Sequence, residues 1–467
     1  MAYSFFTFAQ AVTALANRLQ DPNQTYWSQP NELLNAVIES VRFFQSLTGS
    51  HKQKFTFPTV ADAVYYDLPN LPGSPVNYNA TDVEVANNVL AALIEPPLPL
   101  VGSWVGTGQF TFAQLQSALQ NRLNRFLGDT GCVVQQQIIN GPPPPGEYAP
   151  LPEGTLDVRR CAWISLPHTL TWVQIQEQWG QANFPWDQVF NSVYPLGRLD
   201  EWAEQAYAPG AAQNPDLPLS YSVFAVAPQT LRLVPPPLNE GVIDLISVPA
   251  GPTVNLNPAS PVVLNVPDDL SPALKWGVLA DLLGSDGPSR DYARAQYAEQ
   301  RYQEFVSIGQ SALPSSPVYP SVLASDVNNI TVGLGSVFDL DSYVPDWQNT
   351  LNRQQPTFVG MAGRNLACLG PLPDAVYGVG LWMVVNAPTT GFIQVNRGSL
   401  DAILDYAQHI ASFKMGGAEF DGTERLYQNL ISSAKNENGR LSAVAFYRGQ
   451  LQQPAAKSEM EVARMLV

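Results

Sequence analysis

Residues able to do nucleophilic, acid–base or metal chemistry are few in this 467-residue chain, and they stand far apart. The three histidines, His51, His168 and His409, are each alone, which starves a Ser–His–Asp relay or a histidine metal site of partners. His409 lies among apolar residues at helical spacing and reads as a packed ring, not a general base. Cys132, Cys161 and Cys368 are odd in number and form no CxxC pair, so they read as small buried side chains, neither a disulfide framework nor a zinc site. Asp339 and Asp341, two apart, could touch one cation, but the other ligands and the glycine of a calcium loop are missing, and a solvated turn is expected. Glu419 and Asp421 could imitate a glycosidase carboxylate pair, although acids also collect at helix N-termini for electrostatic reasons. Gly333-Leu334-Gly335 and Gly378-Val379-Gly380 do not open a helix as a dinucleotide loop does, and the second falls within a predicted strand, where close packing explains it. Walker and GxSxG motifs are absent, and the sequons at Asn23, Asn79 and Asn329 matter only on a secretory route. The expectation is a protein that is not an enzyme, with no catalytic residue, no cofactor and no metal.

Composition points the same way. Charged residues make up 14% of the chain, against roughly 25% in ordinary soluble domains, and the 41 prolines are about twice the usual share. A surface so poor in charge must be covered by amides, hydroxyls and prolines, or hidden against neighbours. The 20 Phe, 18 Tyr and 10 Trp need buried sites, which argues against disorder. A net charge of −16 without a basic run excludes a general nucleic-acid binder, since phosphate neutralisation needs clustered Lys and Arg. It is compatible with a wall that repels DNA. There is no signal-peptide pattern and no apolar run of membrane-spanning length, so a soluble chain maturing in a reducing compartment is expected.

The elements that would position these residues announce themselves through a repeat. Phe6-Thr7-Phe8-Ala9-Gln10 recurs as Phe110-Thr111-Phe112-Ala113-Gln114, and the match continues through Ala14-Leu15 and Asn17-Arg18-Leu19 to Ala118-Leu119 and Asn121-Arg122-Leu123. Both copies carry apolar residues at helical spacing. A second helix follows Pro30 and stops at Gly49; a strand pair is expected over 54–68, and another helix starts at a Thr81/Glu84 capping box. Pro142–Pro145 reads as a linker. Strands are predicted at 156–164 and 221–226, and at 230–234 and 242–248, the last two facing each other across Pro235–Pro237. Two helices follow, one with Ser271 as N-cap and Gly284 as C′, the other over 290–306. Strand 377–385, a helix through Leu400–Ile410 and a last helix over 422–435 return in the same order. The fold class is therefore α+β: helical bundle elements combined with antiparallel, sandwich-like β domains, internally duplicated. The expected segments are a mainly helical 1–130 with a small β element, a β domain and helix pair over 131–310, a second such segment over 311–440, and an extended tail over 441–467.

From Gln229 to Tyr302 the chain resembles the head-to-tail adaptor and neck proteins of tailed bacteriophages, the gatekeepers of short-tailed phages included. The resemblance rests on strand Leu231–Val234 with its proline turn, strand Asp244–Val248, Val266-Pro267-Asp268-Asp269, the helix Lys275–Leu283 and the run Asp291–Tyr302. Trp27-Ser28 ahead of Glu32-Leu33-Leu34, then Tyr66-Asp67-Leu68-Pro69, is similar in the same way. It covers about half of a chain much longer than the small family members. It implies a homo-oligomeric ring, commonly of twelve copies, in the virion neck, bound to the portal on one side and to nozzle or tail-tube proteins on the other. Double-stranded DNA would pass through without sequence-specific contacts and without a membrane, and assembly would occur in the host bacterial cytoplasm. A tail or baseplate component, or a host-binding β protein, remains the alternative. The 290–306 helix offers two faces, so Arg294, Tyr297, Arg301 and Tyr302 are expected to contact the adjacent subunit, while Tyr292, Phe305 and Val306 face the core.

Overall fold

The computed structural model describes residues 6–143, 146–165, 190–195, 220–224, 229–234, 236–237, 240–287, 290–311, 321–344, 347–348, 353–385 and 388–451. The first half contains α1 (Phe8–Arg18), α2 (Glu32–Thr48), β1 (Lys52–Pro58), β2 (Tyr65–Asp67), α3 (Asp82–Ala92), α4 (Phe112–Thr130), β3 (Gln135–Asn140), β4 (Tyr148–Pro150) and β5 (Thr155–Ser165). Then come β6 (Phe190–Pro195), β7 (Ser220–Phe224), β8 (Thr230–Val234), β9 (Gly241–Pro249), α5 (Pro272–Gly284) and α6 (Tyr292–Ser311). The remainder is β10 (Val322–Val327), β11 (Ile330–Thr331), β12 (Gly333–Ser336), α7 (Val337–Tyr343), β13 (Phe358–Ala362), β14 (Leu366–Gly370), β15 (Gly378–Val384), α8 (Arg397–Ser412), α9 (Gly417–Asp421) and α10 (Glu424–Leu451). The fold is α+β.

The chain forms two compact units, each assembled from distant stretches. One comprises residues 1–52, 87–97 and 385–467, the other residues 53–86 and 98–384. These units cross the four consecutive segments expected from the sequence, because partners for early elements arrive late in the chain.

The first unit is helical: α1 packs on α2 and α8, and α2 and α10 pack on α8. Thr7 begins α1 with a capping box, its hydroxyl accepting from the Gln10 amide while the Gln10 side chain accepts from the Thr7 amide. Gly49 ends α2 in the left-handed region, at φ +57°, with its N–H on the Gln45 carbonyl, as its place after the apolar stripe predicts.

The second unit holds three sheets, ordered β1-β15-β10-β11, β12-β13-β14-β2 and β3-β9-β5-β6-β7-β8-β4. Parallel pairing joins β12 to β13 and β6 to β7; β3–β9, β5–β9, β5–β6, β7–β8, β4–β8, β10–β15 and β13–β14 are antiparallel. Ala149, Val158, Trp163, Tyr221, Leu231 and Ile243 share one core although they come from strands spread across the third sheet. That core thus draws on strands far apart in the sheet order. Beside it α4 packs on α5 and α6, capped by the same Thr111/Gln114 box as α1.

Several local expectations give way to longer-range pairing. β1 and β2 do not pair with each other but lie in different sheets, β2 on β14 and β1 beside β15. β8 and β9 are likewise not partners: β8 lies between β4 and β7, and β9 between β3 and β5. The Pro142–Pro145 run, whose residues 144–145 fall outside the described ones, connects β3 and β4 of a single sheet and is no domain linker. Ser271 has helical torsions, and its hydroxyl donates to the Asp268 carbonyl, so it does not cap α5. Helix α10 runs on to Leu451, so 441–451 are helical, contrary to an extended tail; residues 452–467 lie outside the described ones.

Candidate functional site

The residues expected to meet a neighbouring subunit lie on α6, and two of them are inside their own unit. Arg301 and Tyr302 are buried, and Tyr302 packs beside Gly277 of α5, where a Cβ would come within 2.9 Å of its ring. Arg301 pairs with Glu304 and stands over the Tyr297 ring at 5.4 Å. Tyr297 meets Trp276 edge-on at 5.7 Å, and Arg294 pairs with Asp291 at 2.6 Å. The face taken for an intersubunit surface is thus largely satisfied within the chain, because α5 is buried on all sides and needs α6 to cover it. Phe305 and Val306 are core residues as expected, whereas Tyr292 is 68% exposed.

The centre of this helix trio is Arg122 of α4. Its guanidinium grips Asp281 of α5 through Nε at 2.8 Å and Nη2 at 2.5 Å, reaches Glu299 of α6 at 2.7 Å, and lies 4.8 Å above the Tyr302 ring. Burial and the nearby Asp129 carboxylate push the Tyr302 phenol up to about 12, so it stays neutral beside these charges.

A second polar constellation sits among the strands. Arg160 of β5 uses all five guanidinium hydrogens: Nε and Nη2 on Asp341 at 2.9 and 2.8 Å, Nη1 on Asp244 at 3.1 Å and on Tyr65 at 3.3 Å, and Nη2 on Gln348 at 3.2 Å. Asp244 of β9 also accepts from the Tyr65 hydroxyl, from Gln136 at 2.7 Å and from Gln348 at 2.7 Å. The Trp347 indole donates to Asp341 at 2.8 Å. Burial alone would lower the arginine pKa, but the Tyr65 oxygen and the Asp341 and Asp244 carboxylates outweigh it and hold the guanidinium charged. Burial keeps the Tyr65 phenol well above its ordinary value. The network joins β2, β3, β5, β9 and α7, so it fixes strands of two sheets and a helix to one point. It holds no activated nucleophile.

Sequence reasoning placed Asp341 in a solvated turn, yet it is 6% exposed and essential to this network; Asp339 makes the Ser336 capping box. The signal was available: Asp244 interrupts Val242-Ile243-Asp244-Leu245-Ile246 and Arg160 precedes Cys161-Ala162-Trp163. A charge inside an apolar strand of a charge-poor chain has to be paired.

The remaining candidates are not brought together. His409 is 1% exposed, its Nδ1 2.7 Å from the Thr423 hydroxyl and its ring stacked on Phe420 at 4.7 Å. Cys132, Cys161 and Cys368 are all buried, and burial pushes each thiol up, away from the reactive thiolate. Glu419 and Asp421 stand exposed on the five-residue α9. His168 falls outside the described residues. Among the described residues there is no cluster of three or more His, Cys, Asp or Glu placed to hold a metal, and no helix long and apolar enough to cross a membrane.

Among the described residues, the three most exposed large apolar side chains occur in one segment. Leu100, Val101 and Val105 are 77%, 91% and 79% exposed, within a stretch from Pro96 to Asn121 that has no charged residue. Set against known protein families and characterised proteins, the chain matches none.

Proposed function

We propose that this chain is a structural subunit of a tailed-bacteriophage particle, forming a ring at the neck that joins the portal to the nozzle or tail tube and surrounds the passage for double-stranded DNA. The observation that carries this reading is the order β8, β9, α5, α6 across Gln229–Tyr302, the strand–strand–helix–helix succession on which the adaptor resemblance rests. Helix α4 packs on α5 and α6, and the matching α1 packs on α8, which in turn packs on α10; this partial parallel supports an internally duplicated version of that plan.

Rings close through heterologous interfaces, and those need apolar surface that the monomer leaves uncovered. The uncharged segment bearing Leu100, Val101 and Val105 is such a surface, and it replaces the α6 face as the place to look. A net charge of −16 per copy, multiplied around a ring of about twelve, would keep DNA from adhering to the wall.

Light scattering on the purified chain and negative-stain images of it, together with its position in intact particles, test the proposal. Rings of one diameter and density at the neck are expected. A chain that stays monomeric and is missing from purified particles overturns the reading; density confined to the tail or baseplate replaces it with a tail-component role.

A further inference from the structure

On one face of the β1-β15-β10-β11 sheet, Lys54 of β1 reaches across the neighbouring strand to two groups at once. Its Nζ lies 2.8 Å from the Asp326 carboxylate of β10 and 3.3 Å from the Asn329 side-chain carbonyl, in the turn between β10 and β11. The crossing is possible because the residue beneath is Gly380, paired with Asp326 across the ladder. A Cβ at Gly380 would come within 2.6 Å of both Asp326 oxygens and of Lys54 Cε. The turn is anchored as well: Asn328 and Asn329 have φ +51° and +64°, the Asn328 amide donates to the Gly378 carbonyl at 2.7 Å, and its side chain accepts from the Gly378 amide at 3.0 Å.

An amine within reach of both a carboxamide and a carboxylate brings together the three groups that amide exchange needs. From this juxtaposition we infer that Lys54 and Asn329 form an intramolecular isopeptide bond, with Asp326 as the proton carrier. The free amine of Lys54 attacks Cγ of Asn329. Asp326 takes a proton from Nζ and returns it to the departing amide nitrogen. One C–N bond forms and one breaks, ammonia leaves, and no oxidant or other reactant is required. The product ties β1, one edge of the sheet, to the hairpin that forms the other edge, joining positions 275 residues apart in sequence. This inference does not depend on the neck-ring reading.

Only the unprotonated amine is a nucleophile, so the bond should form faster at pH 9 than at pH 7. Intact-mass spectrometry of the full chain, incubated at both pH values and then fragmented, tests it. The expected result is loss of one ammonia and a branched peptide linking residues 54 and 329. Lys54→Arg, which keeps the ion pair, should retain full mass and fold, and Asp326→Asn should form the bond roughly a hundredfold more slowly. A folded wild-type chain that keeps its full mass at pH 9, or that only gains the mass of deamidation at Asn329, overturns the inference. So does cross-linking of Asp326→Asn at the wild-type rate. The wild-type mass decides the bond itself even where a variant fails to fold.

Discussion

Helices α1 and α4 begin with nearly the same sequence, and the two regions put it to different use. Each opens with the same threonine–glutamine box, and each places an arginine at the same position of the repeat. Arg18 is 30% exposed and bonds to Asp405 at 2.5 Å and to Asp401, itself 87% exposed, at 2.9 Å, both on α8. Arg122 is 7% exposed, clamped by Asp281 and Glu299, with an aromatic ring beneath it. The local code sets where the helix starts and that an arginine seeks carboxylates on the helix packed beside it. How deep that arginine lies depends on the partner: α5 is buried around its whole circumference, whereas α8 keeps a polar face. The helices end on different residues: the chain turns left-handed at Gln20, φ +57°, just after α1, and at Gly131, φ +56°, just after α4.

Breaking the two arginines should expose that difference. Arg122→Met leaves Asp281 and Glu299 facing each other without a cation. A loss of about 2–3 kcal/mol is expected, at the lower edge of buried-pair values because both carboxylates are partly hydrated. The urea midpoint measures it, and equal sensitivity to Arg18→Met would erase the contrast. The caps should behave alike, in contrast to the arginines: Thr7→Ala and Thr111→Ala are each expected to cost about 1 kcal/mol, since both remove the same hydroxyl–amide bond. Amide hydrogen exchange over the first turn of each helix checks this, and a large inequality would mean that tertiary packing, not the cap, holds one N-terminus.

Arg18→Met should cost less than about 1 kcal/mol, and the loss should shrink as salt is added, because the pair is solvated. A chevron or melting series at two ionic strengths reads this out. The smallest expected effect is acid sensitivity. Burial raises the Asp21 carboxyl, but the amides of Thr25, Tyr26 and Trp27 and the Thr25 hydroxyl outweigh it and bring its pKa to about 2, from 3.8. A depressed folded pKa stabilises above the unfolded value and is lost on protonation, so this contribution is intact above pH 4 and disappears between about pH 4 and 2. Exchange protection of the Thr25–Trp27 amides should fall over that window in wild type and be absent throughout in Asp21→Ala. Helix α4 ends on a glycine instead, so its last turn should show no comparable titration.

Much of the secondary structure was legible because it is written locally. The Thr81 cap on the Glu84 amide, the Gly49 stop, the apolar stripe of α2, and β5, β7, β8, β9 and β15 depend on residues within a few positions of one another. Strand partners were not legible. β1 and β2 are close in sequence yet belong to different sheets, and β8 and β9 are separated by β5, β6 and β7 in sheet order: β8 pairs with the preceding β7 and with the distant β4, and β9 with the distant β3 and β5. The α6 surface was misread for a related reason: amphipathic spacing reveals that a helix has two usable faces but not whether the second is covered by its own chain. α5 covers it here.

What the sequence determined by itself was the α+β character, the stop of α2 at Gly49, the duplicated helix and the burial of His409 and the cysteines, since these follow from periodicity, side-chain chemistry and nearest neighbours; the ends of α5 and α10 were not among them, for α5 includes Gly284 and α10 runs on to Leu451. Only the tertiary structure decided which charges meet. Arg160 with Asp244, Asp341 and Tyr65, Arg122 with Asp281 and Glu299, and Lys54 with Asp326 and Asn329 are all drawn from separated segments. The physical reason is that a buried or crossing charge is tolerated only where a partner of opposite sign and fitting geometry is delivered to it, and delivery is a property of the fold, not of the residues beside it.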